Sequence, residues 1–341
     1  MSQFRQSPFT KEWVLIAPER AGRPQPAHAG PARPPAEHFV PSCPFCPGNE
    51  SLTPFERLRL PAPGGAGWLL RVIPNRYPAL MEGQALEWQR RAGRHSLTGA
   101  GFHEVLIETP DHALTPALLP EAHVEAILRT YRERFIRLSE DPRIAHVTLF
   151  KNHGRGAGTS LDHPHSQIIA APVISSWLRT RLYEARRHWD ESGMCIFCEL
   201  MREELAAGER IVEQSEHFVA AAPFASAVAF QVNIYPRRHT ASFGDISPAE
   251  LDGLSKMLRS VLRRLFFGLG NPDFNYVIDT APAEEARVRY YHWHVRILPR
   301  ISEVAGFELG SGIAINAVAP EDAAELLRNV DVESEAPGPI S

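Results

Sequence analysis

The chain has 341 residues, of which 44% are hydrophobic and 22% charged, and its formal net charge is −4. These proportions are typical of a globular protein, and the slight acidity excludes a global basic field for nucleic acid or an anionic membrane. No run approaches the roughly 18 apolar residues of a membrane span, and the N-terminus lacks the features of a secretory signal. We therefore expect a cytoplasmic enzyme with neither nucleic acid nor membrane as a partner.

The first half of the chain combines extended apolar segments with a helix and a glycine-rich segment. In chain order, its predicted features are a Pro-rich loop at 23–36, the knuckle Cys43-Pro-Phe-Cys46, an extended segment at 69–74, a strand at 103–109 that ends near His112, a helix that starts at Pro120-Glu121, a glycine-rich segment at 151–162, and a β-rich segment with His163-Pro-His165. The helix is predicted from apolar residues near helical spacing.

The second half repeats this order. Its features are the knuckle Cys195-Ile-Phe-Cys198, extended segments at 218–223 and 231–236 followed by His239, a helix that starts at Ser247-Pro248, and a β-rich segment with His292-Trp-His294. A duplicated α+β unit explains the repeat. We expect two fused halves at residues 1–175 and 190–328, with a disordered tail at 329–341.

The repeat selects two sets of metal ligands. Structural zinc commonly takes two thiolates and two imidazoles, and four cysteines are few for a disulfide framework in a chain of this size. The two sets are Cys43, Cys46, His112 and His163, and Cys195, Cys198, His239 and His292. We predict a structural zinc ion at each. In the alternative interpretation, His112 and His239 only end strands and satisfy backbone groups.

The glycine-rich segment has the composition of a pyrophosphate cradle. Three glycines in five positions let the backbone approach a ligand and point N–H groups at it, and no P-loop motif is present. The glycines are Gly154, Gly156 and Gly158, the last a predicted substrate contact; Ser160 and Gln167 add neutral donors, and Lys151 and Arg155 add positive charge.

His163 and His165 lie two positions apart, which places both side chains on one face of a strand. One imidazole can then bind metal while its neighbour attacks phosphorus. We predict His165 as the nucleophile, with Ser160 and Gln167 as catalytic donors that stabilise the developing charge. Alternatively, both histidines are structural or ligate metal. His294, the counterpart of His165, follows no glycine-rich loop and is predicted to be structural or an extra metal ligand.

Together these motifs resemble the galactose-1-phosphate uridylyltransferase family of the histidine-triad superfamily, from about residue 4 to about residue 327. The segments that carry the resemblance are 13–24, 43–46, 74–80 and 163–167. It implies two fused histidine-triad-type half-barrels, each an antiparallel sheet with helices, and a homodimer. It also implies a ping-pong reaction in which UDP-glucose uridylylates His165, glucose 1-phosphate leaves, and galactose 1-phosphate accepts the uridylyl group.

The resemblance also implies substrate contacts. Asn152, Ser160 and Gln167 match positions that contact the nucleotide phosphates, whereas Arg20, Arg23 and Asn75 match positions near the nucleotide and the sugar phosphate. Phe307 and Glu308 match a C-terminal segment that binds hexose phosphate across the dimer. That segment, 302–312, lacks the lysine of the family pattern.

The second metal site also departs from the family pattern. Better-known bacterial members use a glutamate and three histidines there. His239, His292 and His294 match the histidines, and Glu184 is the nearest glutamate. Because Cys195 and Cys198 offer a thiolate pair, we predict a thiolate-rich site instead.

Three functions are therefore considered. The first is the nucleotidyltransferase described above, acting on a nucleotide sugar and a hexose 1-phosphate. The second is an ADP-glucose or dinucleoside-polyphosphate phosphorylase that uses the same nucleotidyl-histidine. The third is a zinc-binding scaffold or nucleic-acid module, against which the acidic charge and the absence of a basic aromatic stripe argue.

Overall fold

The computed structural model describes residues 1–22 and 37–332. The strands are β1 (Gln3–Gln6), β2 (Trp13–Ile16), β3 (Leu58–Pro61), β4 (Trp68–Pro74), β5 (Trp88–Arg91), β6 (Arg94–Leu97), β7 (Phe102–Ile107), β8 (His146–His153), β9 (His165–Ala171), β10 (Ile211–Gln214), β11 (Phe218–Ala221), β12 (Val232–Pro236), β13 (Phe274–Asp279), β14 (His294–Pro299) and β15 (Ala314–Asn316). The helices are α1 (Glu121–Ser139), α2 (Ser176–Ser192), α3 (Ile196–Ala207), α4 (Pro248–Gly268), α5 (Gly306–Ser311) and α6 (Pro320–Asn329). Among these helices, none has the length and apolarity needed to cross a bilayer. The tail predicted at 329–341 lies outside the described residues from residue 333 onward.

One antiparallel sheet of ten strands organises the molecule, in the order β10-β11-β12-β14-β13-β8-β9-β7-β4-β3. The first five strands in this order come from the second half of the chain and the other five from the first half. Numbered along the chain, both halves have the order first, second, third, fifth, fourth. The halves meet where β8 pairs with β13. The predicted α+β class and the duplicated unit are confirmed, and the two half-sheets prove to be continuous.

Helices α1 and α4 pack side by side against one face of this sheet. Their inward residues, such as Tyr131 and Val261, are fully buried, which contributes about 1.5–3 kcal/mol for each large apolar side chain. The start of α4 follows the sequence prediction, because Ser247 accepts a hydrogen bond from the Glu250 amide and Pro248 occupies the first turn. The main core lies between these two helices and the sheet.

The opposite face of the sheet is covered differently in the two halves. In the first half, Cys46 of the knuckle packs among Ile73, Val105 and Ile107. In the second half, α2 and α3 close the face, and the sequence analysis assigned no element to residues 176–192. This unequal cover matters for function, because the candidate site lies on this face.

Candidate active site and metal centres

The four predicted ligands of the first metal site lie together. The Sγ atom of Cys46 is 3.5 Å from Nδ1 of His112 and 3.6 Å from Nδ1 of His163, and these two nitrogens are 3.2 Å apart. The Sγ atom of Cys43 is 3.7 Å from Nδ1 of His163. Tetrahedral zinc, with bonds of about 2.3 Å to sulfur and about 2.0 Å to nitrogen, requires ligand edges of about 3.3–3.8 Å. The donor set and its spacing therefore fit a zinc ion.

Groups around this cluster favour the binding of a cation. Nε2 of His163 donates to the carbonyl oxygen of Thr109 at 2.8 Å, so Nδ1 carries the lone pair that a ligand needs. Burial lowers the pKa of His163 to about 4, which keeps the imidazole neutral. The amides of Val40 and Phe45 point at the sulfurs of Cys46 and Cys43, each at 3.4 Å. These N–H groups would stabilise thiolates.

The second predicted set also comes together. One donor atom from each of Cys195, Cys198, His239 and His292 lies within 4.8 Å of the others. Sγ of Cys198 is 3.3 Å from Nδ1 of His239 and 3.4 Å from Nδ1 of His292. Glu184 instead pairs with Arg187 at 2.7 Å. The thiolate-rich set is thus the one that the fold assembles.

The candidate nucleophile His165 begins β9 and is 6% exposed. Its Nδ1 donates to the carbonyl oxygen of His163 at 2.8 Å, so Nε2 carries the lone pair. Among the described residues, none forms a hydrogen bond with this Nε2. Burial lowers the pKa of His165, which favours the neutral, nucleophilic imidazole. The metal cluster and the candidate nucleophile are therefore joined through the backbone of residue 163.

The glycine-rich segment leaves β8 beside His165. Gly154 and Gly158 have φ angles of +84° and +88°, a left-handed region that favours glycine. Ser160 is exposed, and so is Arg155, which lies 3.9 Å from Asp162. Asn152 lies on the same face of the sheet as His165. Phe150 pairs with Gln167 across β8 and β9, and alternate residues of each strand point to the same side.

Lys151 was predicted to add positive charge to this cradle, and that prediction is wrong. Its side chain is 1% exposed and lies on the opposite face of the sheet. Its Nζ donates to Glu108 at 2.5 Å and to the carbonyl oxygen of His165 at 3.1 Å. The lysine therefore lies on the face of the sheet opposite the side chain of His165.

Two residues that the sequence analysis did not select contact predicted site residues. His103 of β7 lies 2.7 Å from Oε1 of Gln167 and 3.1 Å from Nδ2 of Asn75. Asn275 of β13 donates to Oδ1 of Asn152 at 2.8 Å. The only sequence signal for either is a polar residue within an apolar strand, which is too common to indicate a site.

With this geometry in place, comparisons with known proteins become informative. The family model described as "Galactose-1-phosphate uridyl transferase, N-terminal domain" matches residues 1–175, and a domain of unknown function, DUF4921, matches residues 92–334. The ADP-glucose phosphorylase of Arabidopsis thaliana is 34% identical over 97% of this chain and 93% of its own length. This chain belongs to the galactose-1-phosphate uridylyltransferase family. The family's Thermotoga maritima uridylyltransferase is 29% identical over 98% of this chain and 100% of its own length.

Solved structures of this uridylyltransferase family share the fold. An ADP-glucose phosphorylase from Arabidopsis thaliana, crystallised with ADP-glucose, has a TM-score of 0.82 at 33% identity and covers 97% of this chain and 99% of its own. A uridylyltransferase mutant has a TM-score of 0.73 at 27% identity and covers 96% of this chain and 97% of its own. The histidine-triad-type fold predicted from the resemblance is thereby confirmed.

Three further residues of the described part that match the uridylyltransferase pattern adjoin β2 and β15 in the chain. Arg20 lies in a 3-10 turn, Pro18–Gly22, directly after β2. Phe307 and Glu308 belong to α5, and the following strand β15 pairs in parallel with β2. Phe307 is 48% exposed. Arg23 lies outside the described residues.

The counterpart of the nucleophile in the second half of the uridylyltransferase fold is closed off. His294 repeats the backbone contact of His165, with Nδ1 donating to the carbonyl oxygen of His292 at 3.1 Å. Its Nε2 accepts from Arg181 of α2 at 2.9 Å, and the ring is fully buried. Arg181 also contacts Asp279 at 3.8 Å. His294 thus lies outside the cluster of four metal-ligand candidates. Its Nε2 is bonded to Arg181, whereas that of His165 bonds to no described residue.

Proposed function

We propose that this protein transfers a nucleotidyl group through a covalent intermediate on His165. The observation that carries the proposal is the asymmetry of this imidazole, in which Nδ1–H is bonded to a backbone carbonyl and Nε2 has no partner among the described residues. An imidazole held in this way presents its lone pair in a fixed direction. The equivalent His294 has the same backbone bond but a blocked Nε2.

The reaction has two steps. In the first, Nε2 of His165 bonds to the α-phosphorus of a nucleotide sugar, the phosphorus–oxygen bond to the sugar phosphate breaks, and hexose 1-phosphate leaves. In the second, an oxygen of the acceptor bonds to the same phosphorus and the phosphorus–nitrogen bond breaks. The imidazole then returns to its neutral form. The carbonyl of His163 stabilises the positive charge that the ring carries between the steps.

The neighbouring donors stabilise the phosphoryl oxygens. Asn152, Ser160 and Gln167 offer side-chain donors, and the loop at Gly158 offers backbone N–H groups close to the ligand. Asn75, Arg20 and Arg23 would hold the rest of the nucleotide sugar, as would Phe307 and Glu308. In this proposal, two structural zinc ions occupy the Cys₂His₂ clusters, the enzyme is a homodimer, and its reaction takes place in the cytoplasm.

The substrate pair that we propose is ADP-glucose with inorganic phosphate. The similarity to an ADP-glucose phosphorylase over nearly the whole of both chains supports it. The segment 302–312 also supports it, because it has no lysine, and the resemblance to the uridylyltransferase pattern implies that a lysine of this segment binds the hexose phosphate acceptor. The second candidate is transfer from UDP-glucose to galactose 1-phosphate, which the match of residues 1–175 to the uridyl transferase model favours.

Trapping of the labelled intermediate tests the chemistry and the substrate together. Protein mixed with ADP-glucose or UDP-glucose labelled in the α-phosphate should retain acid-labile, base-stable label. The nucleotide sugar that gives more label identifies the preferred base, adenine or uracil. Release of the label by phosphate alone supports the phosphorylase, and release by galactose 1-phosphate supports the uridylyltransferase.

His165→Ala should retain no label while it keeps its metal content, and the exposed His95→Ala on β6 serves as the matched control. Label that persists in His165→Ala would overturn the assignment of the nucleophile.

A further inference from the structure

The side-chain amides of Asn152 and Gln167 lie on the same face of the sheet as His165. Which end of each amide points towards a bound phosphoryl group decides what it can do. An NH₂ group stabilises a phosphoryl oxygen, whereas a carbonyl oxygen repels it. Building on the function proposed above, we infer that Asn275 and His103 are positioning residues: they bind the carbonyl ends of Asn152 and Gln167 and so turn both NH₂ groups towards the transferred phosphoryl group.

The orientation of Asn275 is set by Arg300. An arginine only donates hydrogen bonds, and Nε of Arg300 lies 2.6 Å from Oδ1 of Asn275. Nδ2 of Asn275 therefore points the other way, where the carbonyl oxygen of Ala157 accepts from it at 2.9 Å. Because one partner can only donate and the other can only accept, the amide of Asn275 has a single consistent orientation.

The orientation of Asn152 then follows. Nδ2 of Asn275 also donates to Oδ1 of Asn152 at 2.8 Å, which leaves the NH₂ group of Asn152 to face the loop. A Cβ atom placed on Gly158 would lie 4.0 Å from this Nδ2. The amide is thus aimed at the glycine-rich segment beside His165. Asn275 belongs to the second half of the chain, so the second half orients a phosphate donor of the first.

His103 sets Gln167 by the same logic. The backbone N–H of Ala79 donates to Nδ1 of His103 at 3.0 Å, so Nδ1 is an acceptor and Nε2 carries the proton. Nε2 then donates to Oε1 of Gln167 at 2.7 Å. The NH₂ group of Gln167 is left free for the substrate. Nδ2 of Asn75 lies 3.1 Å from the same Nε2, but both atoms are donors, and Oδ1 of Asn75 already accepts from the amide of Tyr77.

The sharpest test replaces a donor by an acceptor of the same shape. Asn275→Asp keeps the contact with Arg300 but presents an oxygen to Asn152. The amide of Asn152 must then turn its NH₂ group towards residue 275 and its oxygen towards the transferred phosphoryl group. We expect the single-turnover rate of nucleotidylation from labelled ADP-glucose to fall about 10- to 100-fold. The ADP-glucose concentration that gives half of the maximal rate should change little, and so should the metal content and the midpoint temperature of thermal unfolding. Asn275→Ala removes the donor to Asn152 together with the contacts to Arg300 and Ala157. It should give a smaller loss of rate, and it guards against misfolding of the first variant.

A double-mutant cycle separates positioning from a structural role. In an Asn152→Ala background, Asn275→Asp should cost less than about 3-fold, because the residue through which it acts is gone. His103→Phe should likewise lose rate in the parent protein but little in a Gln167→Ala background. A wild-type rate in the single variants would overturn this inference but not the proposed function. The same holds if the fold-loss of each double variant equals the product of the fold-losses of its two single variants. If the parent protein takes up no label, the proposed function fails and this inference fails with it.

Discussion

Lys151 and Glu108 form a buried ion pair with a separation of 2.5 Å directly beneath the strand of the candidate nucleophile. Their side chains are 1% and 0% exposed. The hydroxyl of Tyr131 lies 3.4 Å from Glu108 and bonds to that of Tyr276 at 2.6 Å. Since Nζ of Lys151 also donates to the carbonyl of His165, the pair fixes the backbone of His165 from the face opposite its side chain.

Removal of one partner of this pair should be costly. We expect Lys151→Met to lower the free energy of unfolding by about 3–5 kcal/mol, because Glu108 would keep a buried charge without a counter-ion. The double variant Glu108→Gln/Lys151→Met should recover most of the loss, since no buried charge remains. Denaturant titration measures both. The exposed pair Lys256 and Asp252, 2.8 Å apart on α4, gives the matched control, and Lys256→Met should cost about 0.5 kcal/mol or less. Equal costs for the two lysines would contradict the argument.

The sequence predicted the parts of this molecule that recur along the chain. The repeat of Cys-x-x-Cys knuckles and histidine pairs identified both clusters, because metal ligands are constrained in type and in order. The two-residue spacing predicted both His163 and His165 on one face of a strand, but β9 begins only at His165, and His163 lies in the bend before it. Ser247-Pro248 marked the start of α4 through cap chemistry that depends only on adjacent residues.

The features that the sequence could not predict depend on contacts between the halves. Nothing local to Asn275 shows that β13 pairs with β8 and brings its amide to Asn152. Nothing in Arg181 shows that α2 carries it onto His294. Lys151 was assigned to the wrong face because the glycine-rich segment was interpreted as one basic loop, although its first residues continue β8. Strand alternation decides that point, and it requires the end of the strand to be known.

The two metal clusters should contribute differently to activity. In the enzyme with two zinc ions proposed above, Cys43→Ser should release one ion per chain and abolish labelling of His165, because the carbonyl that holds its Nδ1 belongs to His163 of the same cluster. Cys195→Ser should release the other ion and lower the thermal midpoint, yet leave labelling intact below the unfolding transition. Elemental analysis of both variants, together with the labelling assay, measures this. If Cys195→Ser is fully folded but takes up no label, the second site has a catalytic role.

The two equivalent histidines should give opposite results. His294→Ala leaves Nη2 of the buried Arg181 without its acceptor and opens a cavity, so we expect a loss of about 2 kcal/mol or more in stability. Nucleotidylation by the folded fraction should remain near the parent rate. His165→Ala should lose all label at a smaller cost in stability, since its Nε2 bonds to no described residue. The two variants are compared by denaturant titration and by label per folded molecule. A variant of His294 that folds but takes no label would refute the structural role assigned to it.

Gly158 offers a way to separate backbone strain from a local effect at the site. Its φ is +88°, and among the described residues only Nδ2 of Asn152 comes within 4 Å of an added Cβ, at 4.0 Å. Gly158→Ala should therefore cost about 1–2 kcal/mol through left-handed strain alone. Gly208, which ends α3 with a φ of +71° and open space around it, is the matched control, and Gly208→Ala should cost a similar amount. Only Gly158→Ala should also slow nucleotidylation, because the methyl group takes the space in which a phosphoryl oxygen would meet the Asn152 amide. Equal rates in both variants would mean that the transferred phosphoryl group does not approach this loop.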